Sequence, residues 1–124
     1  MSNIVYSYHF SLGTAGTKTA YVIANAPMRV DAIRLNSTGF AANGTNHVTI
    51  SVLNGATSVA SRTTDSGSSG TSLSADTQEN LTLSNVDKLY LNAGEFLKIT
   101  YVIAGTVALN TAINVHCELA RDLS

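Results

Sequence analysis

Apolar residues alternate with polar ones, or gather in short runs, from one end of this chain to the other. Stretches rich in Gly, Asn, Ser and Thr separate the runs. HVTISVL, residues 47–53, is the cleanest case. Val48, Ile50 and Val52 fall on one side, and His47, Thr49, Ser51 and Leu53 on the other, which is the period of a half-buried strand. Residues 3–11, NIVYSYHFS, read the same way: Ile4, Tyr6, Tyr8 and Phe10 share one face, Val5, Ser7 and His9 the other. Further strands are predicted over 18–24, 28–36, 57–63, 79–83, 87–91, 95–103 and 108–119. LGTAGTK reads as a Gly/Thr turn before the second strand. Pro27 marks a strand edge, because it cannot donate to a ladder. Asn54-Gly55 between two alternating runs is a strong hairpin signal, with positive φ expected at both positions. LNAGE is a tight turn, and a last hairpin is expected through AGT, residues 104–106. Residues 64–78, TDSGSSGTSLSADTQ, read as a mobile surface loop, and residues 120–124 as a loose tail.

No segment carries a helical period. Eight or nine short strands with regularly spaced turn signals predict an all-β fold, an antiparallel β-sandwich. A jelly roll is preferred to an immunoglobulin-like sandwich, which would call for a Cys-Trp-Cys core that a chain with one Cys and no Trp cannot supply. The expected core comprises Val22, Val30, Ile33, Val48, Ile50, Val52, Leu81, Leu97, Ile99, Tyr101, Ile113, Val115 and Cys117. Residues 1–124 fit a single domain, in which 1–12 form an N-terminal strand or arm.

Charged residues make up only 12% of the chain, about half the roughly 25% usual in soluble domains. The 14 Ser, 15 Thr and 11 Asn must supply solubility instead. Such a surface is cheap to desolvate and suits a protein that sits against other protein; it suits equally a neutral extracellular β domain. The net charge is −1 and the seven basic residues are scattered from Lys18 to Arg121. Nucleic acid is therefore not an expected partner, since binding it needs a basic stripe. The longest apolar runs fall far short of the roughly 20 residues of a membrane helix. No basic-then-apolar leader opens the chain, and with Met1 in first place secretion is not expected. The three N-x-[ST] triplets, at Asn36, Asn43 and Asn80, then reflect Asn, Ser and Thr abundance alone.

Candidate chemistry is sparse. His9, His47 and His116 lack metal-ligand spacing, although His9 and His116 could meet if the first and last strands pair. His116 and Cys117 are sequential, so on a strand they point to opposite faces and cannot form a dyad. Cys117 lies within Ile113, Val115, Cys117, Leu119 and is expected to be a buried, inert thiol. Asp65, Asp76 and Glu79 gather around the long loop without the spacing of a calcium loop. Asp87 and Glu95 are expected to cap or to neutralise Lys88 and Lys98. GSSG lacks the setting of a nucleophile elbow. The expectation is a protein that is not an enzyme, with no catalytic residue, no cofactor and no metal. Tyr6, Tyr8 and Phe10 are the candidate interaction residues: either a platform for a partner chain or a sugar, or the half-core, half-rim of a small sandwich.

The phrases TAYVIANAPMRVDAIRLNS, ANGTNHVTISVLNGAT and YLNAGEFLKITYVIAGT, in a short low-charge chain rich in Ala, Thr, Ser and Asn, resemble the small virion proteins of tailed bacteriophages. The resemblance is to the head decoration, or cement, proteins, whose members include jelly-roll domains. It covers nearly the whole chain in style and rests on no single motif, so it assigns no role to an individual residue. It implies a structural protein without turnover. Such a protein is made in the host cytoplasm, then placed on the outer surface of the virion capsid, where it binds the major capsid protein and associates with itself as a homotrimer. The alternative is a carbohydrate-binding β module of a tail fibre or a lectin-like protein, which would take a sugar, although the Trp common in sugar sites is missing. A cupin-like enzyme would need a His/Glu cluster that the isolated histidines do not offer.

Overall fold

The computed structural model describes residues 3–10, 13–107 and 109–119; the expected tail at 120–124 and the ends of the expected 1–12 arm lie outside them. Nine strands form in chain order: β1 (Asn3–Phe10), β2 (Gly13–Ile23), β3 (Met28–Ser37), β4 (His47–Asn54), β5 (Thr57–Thr63), β6 (Glu79–Asn80), β7 (Tyr90–Leu91), β8 (Phe96–Val107) and β9 (Thr111–Leu119). One sheet has the order β1-β9-β3-β6, with β7 on the other end of β3; the second has the order β2-β8-β4-β5. Every pairing is antiparallel. With β7 set aside, this is the strand order of an eight-stranded jelly roll: successive strands change sheets except at the β4–β5 hairpin.

Period-two alternation decides which side chains meet between the sheets. On β4, Val48, Ile50 and Val52 are buried, and on β8 so are Leu97, Ile99, Tyr101 and Ile103. Opposite them β9 contributes Ile113, Val115 and Cys117, and β3 contributes Met28, Val30, Ile33 and Leu35. All thirteen expected core positions are buried. The bulge between Val30 and Ala32 lets β3 bury both Val30 and Ile33, which a strict alternation would place on opposite faces. Tyr101 is the largest fully buried side chain. Its ring stacks on Phe10 of β1 with centroids 4.6 Å apart and planes 4° from parallel. Its hydroxyl and that of Thr111 on β9 lie 2.9 Å apart. Phe10 and Thr111 are themselves cross-strand partners, so one tyrosine of one sheet holds a single rung of the other.

Several boundaries differ from the pattern. The expected turn LGTAGTK is strand from Gly13 on, Leu12 lying outside the described residues: β2 begins at Gly13 and pairs with β8 across an irregularity at Thr14/Gly16. The end of β8 runs through AGT instead of turning there. Gly105 has φ +72°, and a Cβ there would collide with the Asn46 carboxamide. That carboxamide oxygen accepts from the Thr106 N–H at 3.0 Å, so the glycine lets a side-chain cap enter the strand. In the β4–β5 hairpin, Asn54 is the last paired residue, opposite Thr57. Gly55, at φ +63°, is the first turn residue, a type II′ arrangement rather than two positive-φ positions. DKLYL opens as a 3₁₀ turn, Val86–Leu89, and only Tyr90–Leu91 is strand. ENLTL contributes only Glu79–Asn80 to the sheet.

The 64–78 segment is tied down along its length. The Arg62 guanidinium donates to the backbone oxygens of Thr71 and Ser72, both at 3.0 Å, and pairs with Glu79 at 2.6 and 3.3 Å. Leu73 is buried and exchanges backbone hydrogen bonds with Phe40 at 2.8 and 2.9 Å. Asp65 accepts from the Gly67 N–H at 2.9 Å and caps the 3₁₀ turn Ser66–Ser68.

Ile50→Ala should destabilise the fold by about 2–5 kcal/mol. Tyr101→Phe keeps the stack but strips Thr111 of its buried partner and should cost about 1–3 kcal/mol. Urea unfolding followed by circular dichroism measures both, and a change near zero for Ile50→Ala would contradict the buried assignment. Arg62→Met should open 64–78 to limited proteolysis while the far-ultraviolet spectrum holds; a segment as resistant as in the parent would show that Arg62 does not hold it.

Candidate functional site

The sandwich has two sides where sheet edges meet, and they are built differently. On one side β5 and β6 are the edges. There the Arg62–Glu79 pair crosses from sheet to sheet, and the chain beyond β6 covers β5. The Ser84 N–H donates to the Val59 oxygen at 2.9 Å, and the Asn85 amide to the Ser58 oxygen at 2.8 Å. On the other side β1 and β2 are the edges, each hydrogen-bonded to one neighbour. A bond from the Tyr8 hydroxyl to the Tyr21 backbone oxygen, 2.6 Å, spans them. β1 carries no Asp, Glu, Lys or Arg, and β2 only Lys18. These are the charges that natural β proteins use to blunt an edge.

Of the candidate interaction residues, all three turn inward. Phe10 is buried against Tyr101, while Tyr6 and Tyr8 are half-buried against the core. Burial raises the pKa of both tyrosines. The outward residues of β1 are Val5, Ser7 and His9.

The exposed apolar surface lies next door. Tyr21, Ile23 and Phe96 are 50%, 55% and 48% exposed, with Val102 of β8 next at 40%. Ile23 is paired with Phe96 across β2 and β8. Tyr21 meets Phe96 diagonally, edge to face, at 5.6 Å and 78°. Sequence reasoning missed this cluster. The available signal was AYVIA, whose consecutive large apolar residues must place some on the outer face of any strand.

The remaining candidates are dispersed. β1 and β9 do pair, but His9 sits opposite Ala112 and His116 opposite Val5, so the two imidazoles stay apart. His116 lies 3.4 Å from an Arg34 nitrogen, and His47 lies 3.5 Å from Asp65. Asp65 serves its turn and Glu79 serves Arg62, so the loop acids do not converge. The Glu95 carboxylate accepts from the Asn92 N–H at 2.7 Å, which closes the LNAGE turn. Among the described residues no three His, Cys, Asp or Glu side chains come together, and no helix is long and apolar enough to cross a membrane. Cys117 is buried, and His116 points to the other face of β9. Burial first, then the nearby Asp31 carboxylate, pushes the Cys117 thiol from 9.0 to about 11.

Comparison with known proteins adds little. No family model matches the chain, and no curated protein does. Among solved structures, the chain is similar to one titled "Structure of infectious bursal disease virus Gx strain", at 14% identity and a TM-score of 0.42. The match covers 94% of this chain and 32% of that one, so this chain spans about a third of the neighbour's length. A likeness at that level carries no functional argument.

The Cys117 shift sets a pH dependence. The folded state holds the thiol proton more tightly than the unfolded chain does. Its contribution to stability is therefore complete below the ordinary thiol value and is lost as pH rises through about 11. Tyr8 and Tyr101, both raised by burial, act in the same direction above the ordinary tyrosine value. Urea midpoints of the parent and of Cys117→Val should run parallel near neutrality and converge or cross above about pH 9, as only the parent loses the thiol contribution. Parallel curves throughout would refute the assignment. The native thiol should also resist an aromatic disulfide reagent until the chain is unfolded.

Proposed function

We propose that this chain is a virion structural protein, a decoration protein that binds the outer face of a tailed-phage capsid and has no catalytic turnover. The observation that carries the reading is the unequal construction of the two sides. One side is closed by the Arg62–Glu79 pair and the 81–85 segment. On the other, β1 and β2 end their sheets with a strand partner on one side only among the described residues, beside the Tyr21–Ile23–Phe96 cluster. Free N–H and C=O groups along an edge offer a partner main-chain hydrogen bonds, and an adjoining aromatic cluster offers a desolvated anchor. With only 12% of its residues charged, the chain has a surface that costs less to cover.

In this reading the partners are the major capsid protein and further copies of the chain itself. A homotrimer is the assembly that matches the local threefold positions of an icosahedral shell. The phrase-level resemblance to cement proteins supports the capsid as the target.

Sedimentation equilibrium at low micromolar concentration should give a mass three times that of the 13.0 kDa chain. A monomer mass would end the self-association part of the proposal. Because Tyr6 and Tyr8 pack inward, the informative variant is Tyr21→Ser with Phe96→Ser, which should weaken association by about tenfold or more and leave the melting temperature close to the parent's. Undecorated heads of the same virus should carry the parent protein into the pellet. Failure to co-sediment at micromolar concentration would remove the capsid as partner whatever the oligomeric state.

A further inference from the structure

We propose that the outer face of the five-stranded sheet holds a shallow site for one neutral sugar ring, built at the end where β1, β9 and β3 run side by side. The strand register constructs it. His9 of β1 and Asn36 of β3 are both opposite Ala112 of β9, so all three share one row and point the same way. Neighbouring strands are about 4.8 Å apart, which sets the two polar walls roughly 10 Å apart with only a methyl group between them. Beyond this row Thr38 and Asn110 close the end. The Thr38 N–H donates to the Asn110 oxygen and the Asn110 N–H to the Thr38 hydroxyl, both at 3.1 Å. Asp76 is held beside them by its own N–H on the Ser37 oxygen at 2.9 Å. The resulting open groove has a volume of about 330 Å³, at the small end of the roughly 300–1,000 Å³ typical of ligand sites.

The chemistry of the rim selects the ligand. The side chains of His9, Asn36, Asp76 and Asn110 have no hydrogen-bond partner among the described residues, while the backbone beneath them is fixed by the sheet and the two turns. The backbone thus sets where these unused donors and acceptors stand. The two amides can each donate and accept, the carboxylate accepts, and the imidazole does one of each. Sugar hydroxyls, which donate and accept in closely spaced pairs, match that mixture. The Ala112 methyl gives the apolar C–H face of a ring a floor. A phosphate does not fit, because no Lys or Arg lines the groove and Asp76 opposes an anion. A metal ion would find only two side chains of ligand type, Asp76 and His9. An apolar ligand would bury the polar rim unpaired. One wall, His9, stands on the edge strand β1, but the site uses the outer face of the sheet rather than the edge hydrogen bonds and does not depend on the capsid reading.

Titration of ¹⁵N-labelled full-length protein with glucose, galactose, mannose and N-acetylglucosamine, each into the tens of millimolar, tests the site. At least one sugar should give saturable amide shifts confined to residues 9, 36, 38, 76, 110 and 112. Asp76→Asn removes the charged acceptor, yet Asn tolerates the positive φ of 53° at that position; it should weaken the binding about tenfold or more. Ala112→Leu, on an outward position, should abolish it by filling the floor. Thr100→Ala, on the opposite sheet, should leave it unchanged. Melting temperatures near the parent's qualify each variant, and a loss in either groove variant that stays folded supports the site. No saturable shift with any of the four sugars, or the same affinity in both groove variants as in the parent, overturns it.

Discussion

Two sheets packed face to face share no hydrogen-bond ladder, so something other than backbone pairing must fix how they lie on one another. In this protein Tyr101 does so. It is rooted in β8, the strand flanked by β2 and β4, and it crosses the core to the Phe10–Thr111 rung of the other sheet. Hydrophobic burial drives the sheets together but has no direction. The stack and the hydroxyl pair are directional and buried, so they select one register among those that would bury similar area. The inward placement of β1 depends on this contact. With Phe10 held against Tyr101, alternation carries Tyr8 and Tyr6 to the same face and Val5, Ser7 and His9 to the other.

The sides of the sandwich raise the opposite problem, since every open sheet ends in unpaired backbone. The β5–β6 side solves it with a guanidinium. Arg62 offers five N–H donors in a rigid fork, and its donors go to Glu79 and to the oxygens of Thr63, Thr71 and Ser72. One side chain thus joins the two sheets and pins the chain that covers them. On the β1–β2 side the bridge seen among the described residues is the Tyr8 hydroxyl on the Tyr21 backbone oxygen, and these two strands, which together carry one lysine, lie beside exposed aromatic residues of β2 and β8. This asymmetry between the two sides is what the proposed docking of a partner on β1 and β2 rests on.

The core was legible because burial leaves a period-two record in the sequence. Val48, Ile50 and Val52, or Ile113, Val115 and Cys117, could be placed before any contact was known. The features that escaped are those whose cause lies far away in sequence. Gly13–Thr17 looks like a turn by composition and becomes strand because β8 supplies the ladder. Gly105 looks like a hairpin tip and is instead the gap through which Asn46 caps Thr106. Arg62 stood in an unremarked Ser/Thr stretch, and its importance depends on where β6 and residues 71–72 end up. Of the surface, Tyr6, Tyr8 and Phe10 drew notice as a cluster. Tyr21, Ile23 and Phe96 form one only because β2 pairs with β8, a contact some 70 residues away in the chain.

Jelly rolls serve viral shells, lectins and enzymes alike, so the strand order alone assigns no function. What separates those uses is where a fold spends its polar groups. An enzyme of this architecture gathers titratable side chains inside the sandwich. Here the buried residues with polar side chains are few and hydrogen-bonded, Tyr101 with Thr111, Thr64 with Val48, Ser37 with Gly39, while the buried Nδ1 of the partly exposed His47 has no partner among the described residues. The charged groups are spent on architecture, Arg62 with Glu79 and Arg29 with Asp31 and Glu118. The unspent polar side chains lie outside, in the groove around Ala112, and the unspent backbone lies along β1 and β2. In the proposed reading both are surfaces for recognition, and each asks for a different ligand: hydroxyl groups for the first, an extended strand or a flat apolar face for the second.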